Sequence, residues 1–95
     1  MSRLDIAAVV TCFDLGRTLP ETIASLRAQT RPPAELVVVD DGSEDVLTRQ
    51  VLAALERKGE VVIRTPNRGV SAARNTGVRA TRSPLLVIVD GDDVL

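Results

Sequence analysis

Four short apolar runs, mostly β-branched, recur along this chain: Ile6-Ala7-Ala8-Val9-Val10, Leu36-Val37-Val38-Val39, Val61-Val62-Ile63 and Leu85-Leu86-Val87-Ile88-Val89. The first, second and fourth read as buried strands, because a half-solvated strand would alternate apolar with polar residues, and the third is a shorter strand. Three stretches with helical spacing separate them. In the first, Thr18-Leu19-Pro20-Glu21 has capping-box spacing with Thr18 as cap, Leu19, Ile23 and Leu26 form the apolar face, and Arg31-Pro32-Pro33 ends the helix. In the second, Ser43 or Asp45 caps, Val46 or Leu47 with Val51, Leu52 and Leu55 faces the sheet, and Gly59 is the stop. A small-residue helix from about Ser71 to Ala80 follows the loop Pro66-Asn67-Arg68-Gly69. The order strand, helix, strand, helix, strand, helix, strand, with no hairpin signal and no internal repeat, specifies an α/β chain around a parallel sheet.

In such a sheet, ligands bind outside the carboxyl ends of the strands. The residues just beyond those ends are Thr11 to Asp14, Asp40 to Ser43, Pro66 to Gly69 and Asp90 to Asp93. The opposite edge carries Arg31-Pro32-Pro33, Lys58-Gly59 and Arg82-Ser83-Pro84, with no acidic pair. Turn residues alone would populate both edges alike, so the one-sided acids point to a ligand site. If strand geometry persists past Val89, Asp90 and Asp92 share a face with Cα atoms roughly 6.5 Å apart, close enough for both carboxylates to meet one hard cation, and Asp93 points away. Gly91 between them lets a ligand approach the backbone.

Composition narrows the chemistry. Ninety-five residues make one domain at most, and 44% hydrophobic content makes it globular. One Phe and no Trp or Tyr leave an aliphatic core and argue against base stacking on single-stranded nucleic acid or a carbohydrate-stacking surface, while a net charge of −1 gives no basic footprint for nucleic acid. Cys12 is the sole cysteine, so no intrachain disulfide forms, and it reads as a small core residue. No run approaches the roughly 20 apolar residues of a membrane span, and Asp5 interrupts any secretory pattern. A cytoplasmic location is the expectation, which leaves room for a full-length protein at the cytoplasmic face of a membrane.

With no His in the chain, the acids on the rim suit an oxygen-ligated Mg²⁺ or Mn²⁺ rather than zinc. Such cations bind through one or two carboxylates plus substrate phosphates, which implies a diphosphate ligand. Arg74 on the third helix and Arg68 before it can offer a guanidinium fork to phosphate or hold a carboxylate in place. Neither G-x-G-x-x-G nor G-x-x-x-x-G-K follows the first strand, so dinucleotide and P-loop readings fail.

Val39-Asp40-Asp41-Gly42-Ser43, Asn67-Arg68-Gly69-Val70-Ser71-Ala72-Ala73-Arg74-Asn75-Thr76-Gly77 and Val89-Asp90-Gly91-Asp92-Asp93, together with Ser25-Leu26-Arg27-Ala28-Gln29-Thr30, resemble the successive signatures of family 2 glycosyltransferases. The resemblance covers nearly the whole chain and departs at Phe13-Asp14, where the family usually shows an aromatic residue and then Asn. It implies the nucleotide-diphospho-sugar transferase-like fold of glycosyltransferase A type: a three-layer sandwich on a mostly parallel sheet of strand order 3-2-1-4, truncated after the fourth strand. Residues 1–95 would then be a nucleotide-sugar-binding half-domain without its acceptor-binding half. The resemblance places Thr11 and Phe13 against the nucleoside, has Asp41 accept from the base with Asp40 nearby, and sets Arg74 close to the nucleotide and the acidic rim. Asp90 lies by the ribose and metal, and Asp92 of the DXD motif is a direct ligand of a bridging Mn²⁺ or Mg²⁺. It further implies an inverting, metal-dependent transfer of the kind used in polysaccharide biosynthesis, from a nucleotide-diphosphate sugar to an unnamed glycan, lipid or protein acceptor. The catalytic base comes from downstream, so this segment contains no catalytic residue and is expected to be inactive alone.

Three rivals remain in view. Gly16-Arg17-Thr18-Leu19-Pro20 faintly suggests the glycine-rich loop of a sugar-nucleotide pyrophosphorylase, but the preceding glycine pair is missing. A signalling receiver domain would carry its acidic pair after the first strand, and none is there. A non-catalytic nucleotide-binding or assembly module is compatible with every motif. An exposed fourth strand would also leave a sheet edge able to pair with a second copy as a homo-oligomer.

Overall fold

The computed structural model describes residues 5–92. Seven elements alternate along it: β1 (Ile6–Cys12), α1 (Leu19–Arg27), β2 (Glu35–Asp41), α2 (Val46–Arg57), β3 (Val61–Thr65), α3 (Val70–Arg79) and β4 (Leu85–Asp90). The strands form one parallel sheet in the order β3-β2-β1-β4, as the sequence predicts. Each ladder runs past its apolar residues into the polar ones. Thr11 lies level with Val39 on one side and Asp90 on the other, Cys12 with Asp40, and Asp41 with Thr65. The rim acids Asp40, Asp41 and Asp90 therefore belong to strands rather than loops, and paired backbone fixes where they start.

Two apolar layers sandwich the sheet. On one face Ala8, Val10, Cys12, Leu36, Val38 and Val89 pack against Leu19, Ile23 and Leu26 of α1 and Leu52 and Leu55 of α2. On the other face Val9, Val37 and Val39 pack against Ala73 of α3. The small residues of α3 are what let it lie close: a Cβ built on Gly77 would stand 2.2 Å from Val9 Cγ1.

Three local expectations are corrected. β4 is not buried on both faces. Only Val89 is buried, while Leu85, Leu86, Val87 and Ile88 are each 40–46% exposed, because β4 is an edge strand beside β1: α3 packs on β1 and β2 and leaves Leu86 and Ile88 open, and the opposite apolar layer takes in only Val89 of β4. An apolar run signals a strand that is to be covered without naming what covers it. In α2 the first turn faces outward: Val46 and Leu47 are exposed and the fully buried residue is Thr48, whose amide and hydroxyl both donate to the capping carboxylate of Asp45. Thr18 stands at the N-cap position of α1 but makes no cap hydrogen bond, because its hydroxyl is turned elsewhere. No helix among the described residues is long and apolar enough to cross a membrane.

Candidate nucleotide site

The carboxyl ends of β1, β2 and β4 converge on a cavity of about 240 Å³. Its polar lining is Thr11, Asp41, Asp90 and Asp92, and its apolar lining comes from Cys12, Phe13 and Leu15 of the β1 end and Val70 and Ala73 of α3. Of the residues singled out from the sequence, Thr11, Phe13, Asp41, Asp90 and Asp92 thus meet in one place.

Thr11 and Asp90 are register partners across β1 and β4, and the threonine hydroxyl donates to Asp90 Oδ1 at 3.0 Å. The Arg74 guanidinium approaches the same oxygen at 3.5 Å, and its Nε is buried with no hydrogen-bond partner among the described residues. Arg74 does not line the cavity itself, and it reaches the rim through Asp90. Both side chains are more than 40% exposed, so this loose ion pair contributes little to stability, about 0–1 kcal/mol. Phe13, 45% exposed, presents its ring at the site.

Asp41 is buried, and its carboxylate takes two backbone amides of the loop before α3, from Arg68 at 2.8 Å and Gly69 at 3.0 Å. Asn67 adds a bond from its side-chain amide to the Asp41 carbonyl. A carboxylate offers about four acceptor positions, so roughly two of Asp41's remain open. Gly69 enters α3 with φ of 97°, a left-handed value that a side chain would strain.

Asp40 is corrected. Strand alternation sends it to the face of α1 and α2, away from Thr11 and Asp41, where it is buried and accepts the amide and hydroxyl of Ser43. It shapes the turn after β2 and does not line the cavity. The alternation expected for Asp90 and Asp92 is also modified: β4 ends at Asp90, Gly91 and Asp92 form a turn, and both carboxylates still line the one cavity. Asp93 lies outside the described residues.

The departure at Asp14 has a structural account. Asp14 is left-handed, with φ of 53°. Its Oδ1 accepts the amides of Glu44 and Asp45 at 2.9 and 3.0 Å, and its own amide donates to Ser43 Oγ. An amide oxygen of Asn could do the same, and Asn also tolerates this backbone region. The loop after β1 is thus tied to the start of α2 whichever residue is present.

Electrostatically, burial pushes the Cys12 thiol above its ordinary pKa, reinforced by the charges of Asp40 and Asp14 and partly offset by hydrogen bonds from Leu15 and Ser43. It is a protonated wall residue, not a nucleophile. Among the described residues no three His, Cys, Asp or Glu side chains converge as a ready-made metal cage. Two carboxylates on an open rim instead suit a cation that takes its remaining ligands from water and phosphate oxygens.

Sequence reasoning missed Leu15, Val70 and Ala73 in the wall, and it missed Thr22. Thr22 falls within the buried stripe of α1 beside Leu19, Ile23 and Leu26 yet carries a hydroxyl, and that mismatch was the available signal.

Comparison with known proteins gives the family and the fold. The family model for glycosyl transferase family 2 matches residues 7–95. The succinoglycan biosynthesis protein ExoO of Rhizobium meliloti (strain 1021) is 33% identical over 91 residues, covering 96% of this chain and 26% of ExoO. The glycosyltransferase GlyG of Streptococcus pneumoniae is 33% identical over 97 residues, covering all of this chain and 32% of GlyG. The chain therefore spans about a quarter to a third of the length of these curated relatives. Among solved structures, S. aureus TarS 1–349 superposes with a TM-score of 0.79 at 27% identity over 96% of this chain and 28% of that one. Glucosyl-3-phosphoglycerate synthase from Mycobacterium tuberculosis, solved with uridine diphosphate, superposes at 0.75 with 24% identity over 95% of this chain and 34% of that one. The same enzyme solved with Mn²⁺, uridine diphosphate and glucosyl-3-phosphoglycerate superposes at 0.73.

Proposed function

This chain belongs to glycosyl transferase family 2, and from that premise we propose that its described residues bind the donor of a sugar-transferring enzyme, a nucleotide-diphosphate sugar, with a divalent cation. The observation that carries the reading is the convergence of Thr11, Phe13, Asp41, Asp90 and Asp92, from three separate strand ends, on one cavity. The family matches with names in polysaccharide synthesis, such as ExoO, favour the same class of reaction.

Each residue has work suited to its surroundings. Phe13 offers an exposed ring to the nucleoside, and Thr11 forms the floor beneath it. Asp41, already fixed by two loop amides, keeps acceptor positions for a base N–H. Asp90, held by Thr11 and Arg74, stands where the ribose and the cation would meet, and Asp92 is the more exposed carboxylate and the direct cation ligand. Asp40, bonded to Ser43 and absent from the cavity lining, is not among these donor contacts. When bound, Mn²⁺ or Mg²⁺ would neutralise charge developing on the departing nucleoside diphosphate. Inverting transfer also needs a base within about 3 Å of the acceptor hydroxyl. Every described acid lining the cavity is assigned to the donor side, so we place that base and the acceptor contacts outside residues 5–92.

The test is calorimetric titration with uridine diphosphate, the nucleotide held by a structural neighbour, in Mn²⁺ and in chelator. Binding should require the cation. Asp92→Asn should weaken it at least tenfold, and Arg74→Ala should weaken it without removing the cation requirement. Cation-independent binding, or an Asp92→Asn variant that titrates like the parent, would sink the assignment.

A further inference from the structure

The turn that carries Asp92 is gripped from the side away from the cavity. The Gly91 amide donates to the Thr11 carbonyl at 2.8 Å, which extends the β1–β4 ladder by one bond. The Gly91 carbonyl oxygen then accepts two hydroxyls from α1, Thr18 Oγ1 and Thr22 Oγ1, each at 2.9 Å. Both lone pairs of that oxygen are used. Each hydroxyl also has a carbonyl nearby, Leu15 at 3.3 Å for Thr18 and Thr18 at 3.2 Å for Thr22, but the bonds to Gly91 are the shorter ones.

The peptide plane that contains the Gly91 carbonyl also contains the nitrogen and Cα of Asp92. Pinning its oxygen from two directions therefore fixes the point from which the Asp92 side chain starts. The turn is also tightly seated: a Cβ on Gly91 would come within 3.0 Å of the Thr11 carbonyl and 3.3 Å of Leu15. Thr18 and Thr22 do not line the cavity. Thr22 is fully buried within the apolar stripe of α1, and Thr18 leaves its own helix without a side-chain cap in order to reach Gly91.

We propose that Thr18 and Thr22 are positioning residues for the cation site, acting through the Gly91 carbonyl to hold Asp92 where it can ligate. This rests on the donor-site reading above. Threonines one helical turn apart stack on one helix face, so α1 presents two hydroxyls to a single acceptor. A loosened turn would leave Asp92 in place only part of the time, and apparent affinity falls by that fraction.

The experiment compares the parent protein with Thr18→Val/Thr22→Val, which keeps side-chain volume and removes both hydroxyls, and with Thr18→Ser/Thr22→Ser, which restores them. Thr18→Val alone, at a half-buried site, serves if the double valine variant fails to fold. Two quantities are read: amide hydrogen exchange across residues 90–92 without ligand, and uridine diphosphate affinity with Mn²⁺ and with chelator. The valine variant should exchange about tenfold faster at Gly91 and bind uridine diphosphate about tenfold more weakly in Mn²⁺, with no gain of binding in chelator and the serine variant close to the parent. Unchanged exchange, or faster exchange with Mn²⁺-dependent affinity intact, would overturn the proposal, as would equal losses with and without Mn²⁺. A parent protein with no Mn²⁺ dependence would instead remove the donor-site reading, and the unsubstituted chain alone reports that failure.

Discussion

Replacing Asp41 with Asn tests whether this carboxylate serves the fold as well as the ligand. Two charge-assisted bonds, from the amides of Arg68 and Gly69 at 2.8 and 3.0 Å, end on it. Bonds to a charged group contribute about 1.5–3 kcal/mol each, so the upper bound for the pair is about 3–6 kcal/mol. Arg68 and Gly69 are exposed, so their amides can return to water, which brings the loss for Asp41→Ala down to about 2–3 kcal/mol. Asn keeps one oxygen for one amide but turns an NH₂ toward the other, and about 2 kcal/mol is expected. That is a large share of the roughly 5–10 kcal/mol stability of a domain this size. Urea unfolding followed by circular dichroism, in the absence of nucleotide, measures it, since the chain has no Trp to report by fluorescence. A carboxylate kept only for a nucleobase gives the opposite sign, because relieving an unpaired buried charge stabilises the empty protein. Variants within about 0.5 kcal/mol of the parent, or more stable than it, would refute the anchoring role.

Further outcomes follow from the packing and the titrations. Gly77→Ala should destabilise by about 1–2 kcal/mol, since a Cβ 2.2 Å from Val9 Cγ1 overpacks the α3 face while helix propensity returns only about 1 kcal/mol; urea midpoints decide it. Asp14→Asn should cost less than about 1 kcal/mol, as Oδ1 keeps both amides and only charge near the α2 N-terminus is lost, whereas Asp14→Ala should cost more in the same titration. The Thr48 hydroxyl and amide hold Asp45, and the Ser83 hydroxyl with the Arg82 and Ser83 amides holds Glu35, below the ordinary carboxylate pKa. The folded chain therefore binds fewer protons than the unfolded one, so their stabilisation is present above the unfolded pKa and is lost as pH falls through the depressed folded values. Thermal melts across that acid range should show the loss, and Asp45→Asn with Glu35→Gln should flatten it. Cys12, 1% exposed with its thiol pKa raised, should react with an aromatic disulfide reagent only at the rate of unfolding.

Much of the architecture was legible because it rests on local pattern. Strand runs separated by single helices leave few right-handed parallel topologies, and the resemblance of the motifs supplies the order 3-2-1-4 among them. Polarity alone ends the strands too early, for a physical reason. Thr11, Cys12, Asp40 and Asp41 look like loop residues by polarity, but ladder bonds from neighbouring strands carry the pleat through them. Once they are in the strand, their period of two separates Asp41 from Asp40, a distinction invisible while both were assigned to a turn.

The same pleat explains what could not be read. Gly91 meets Thr22 across 69 residues and Thr18 across 73, so no window of sequence joins them. The capping-box spacing at Thr18 predicts a local use of its hydroxyl, and a local bond is ordinarily favoured because it costs no loop closure. Here the β1–β4 pairing and the seating of α1 on Val89 have already closed that loop, so the entropy is spent before the hydroxyl chooses. The Gly91 carbonyl, with the strand ladder finished, would otherwise lack a protein partner near the buried α1 face. A long-range bond then takes the place of the local cap, and the threonines reach the site only within the assembled sheet.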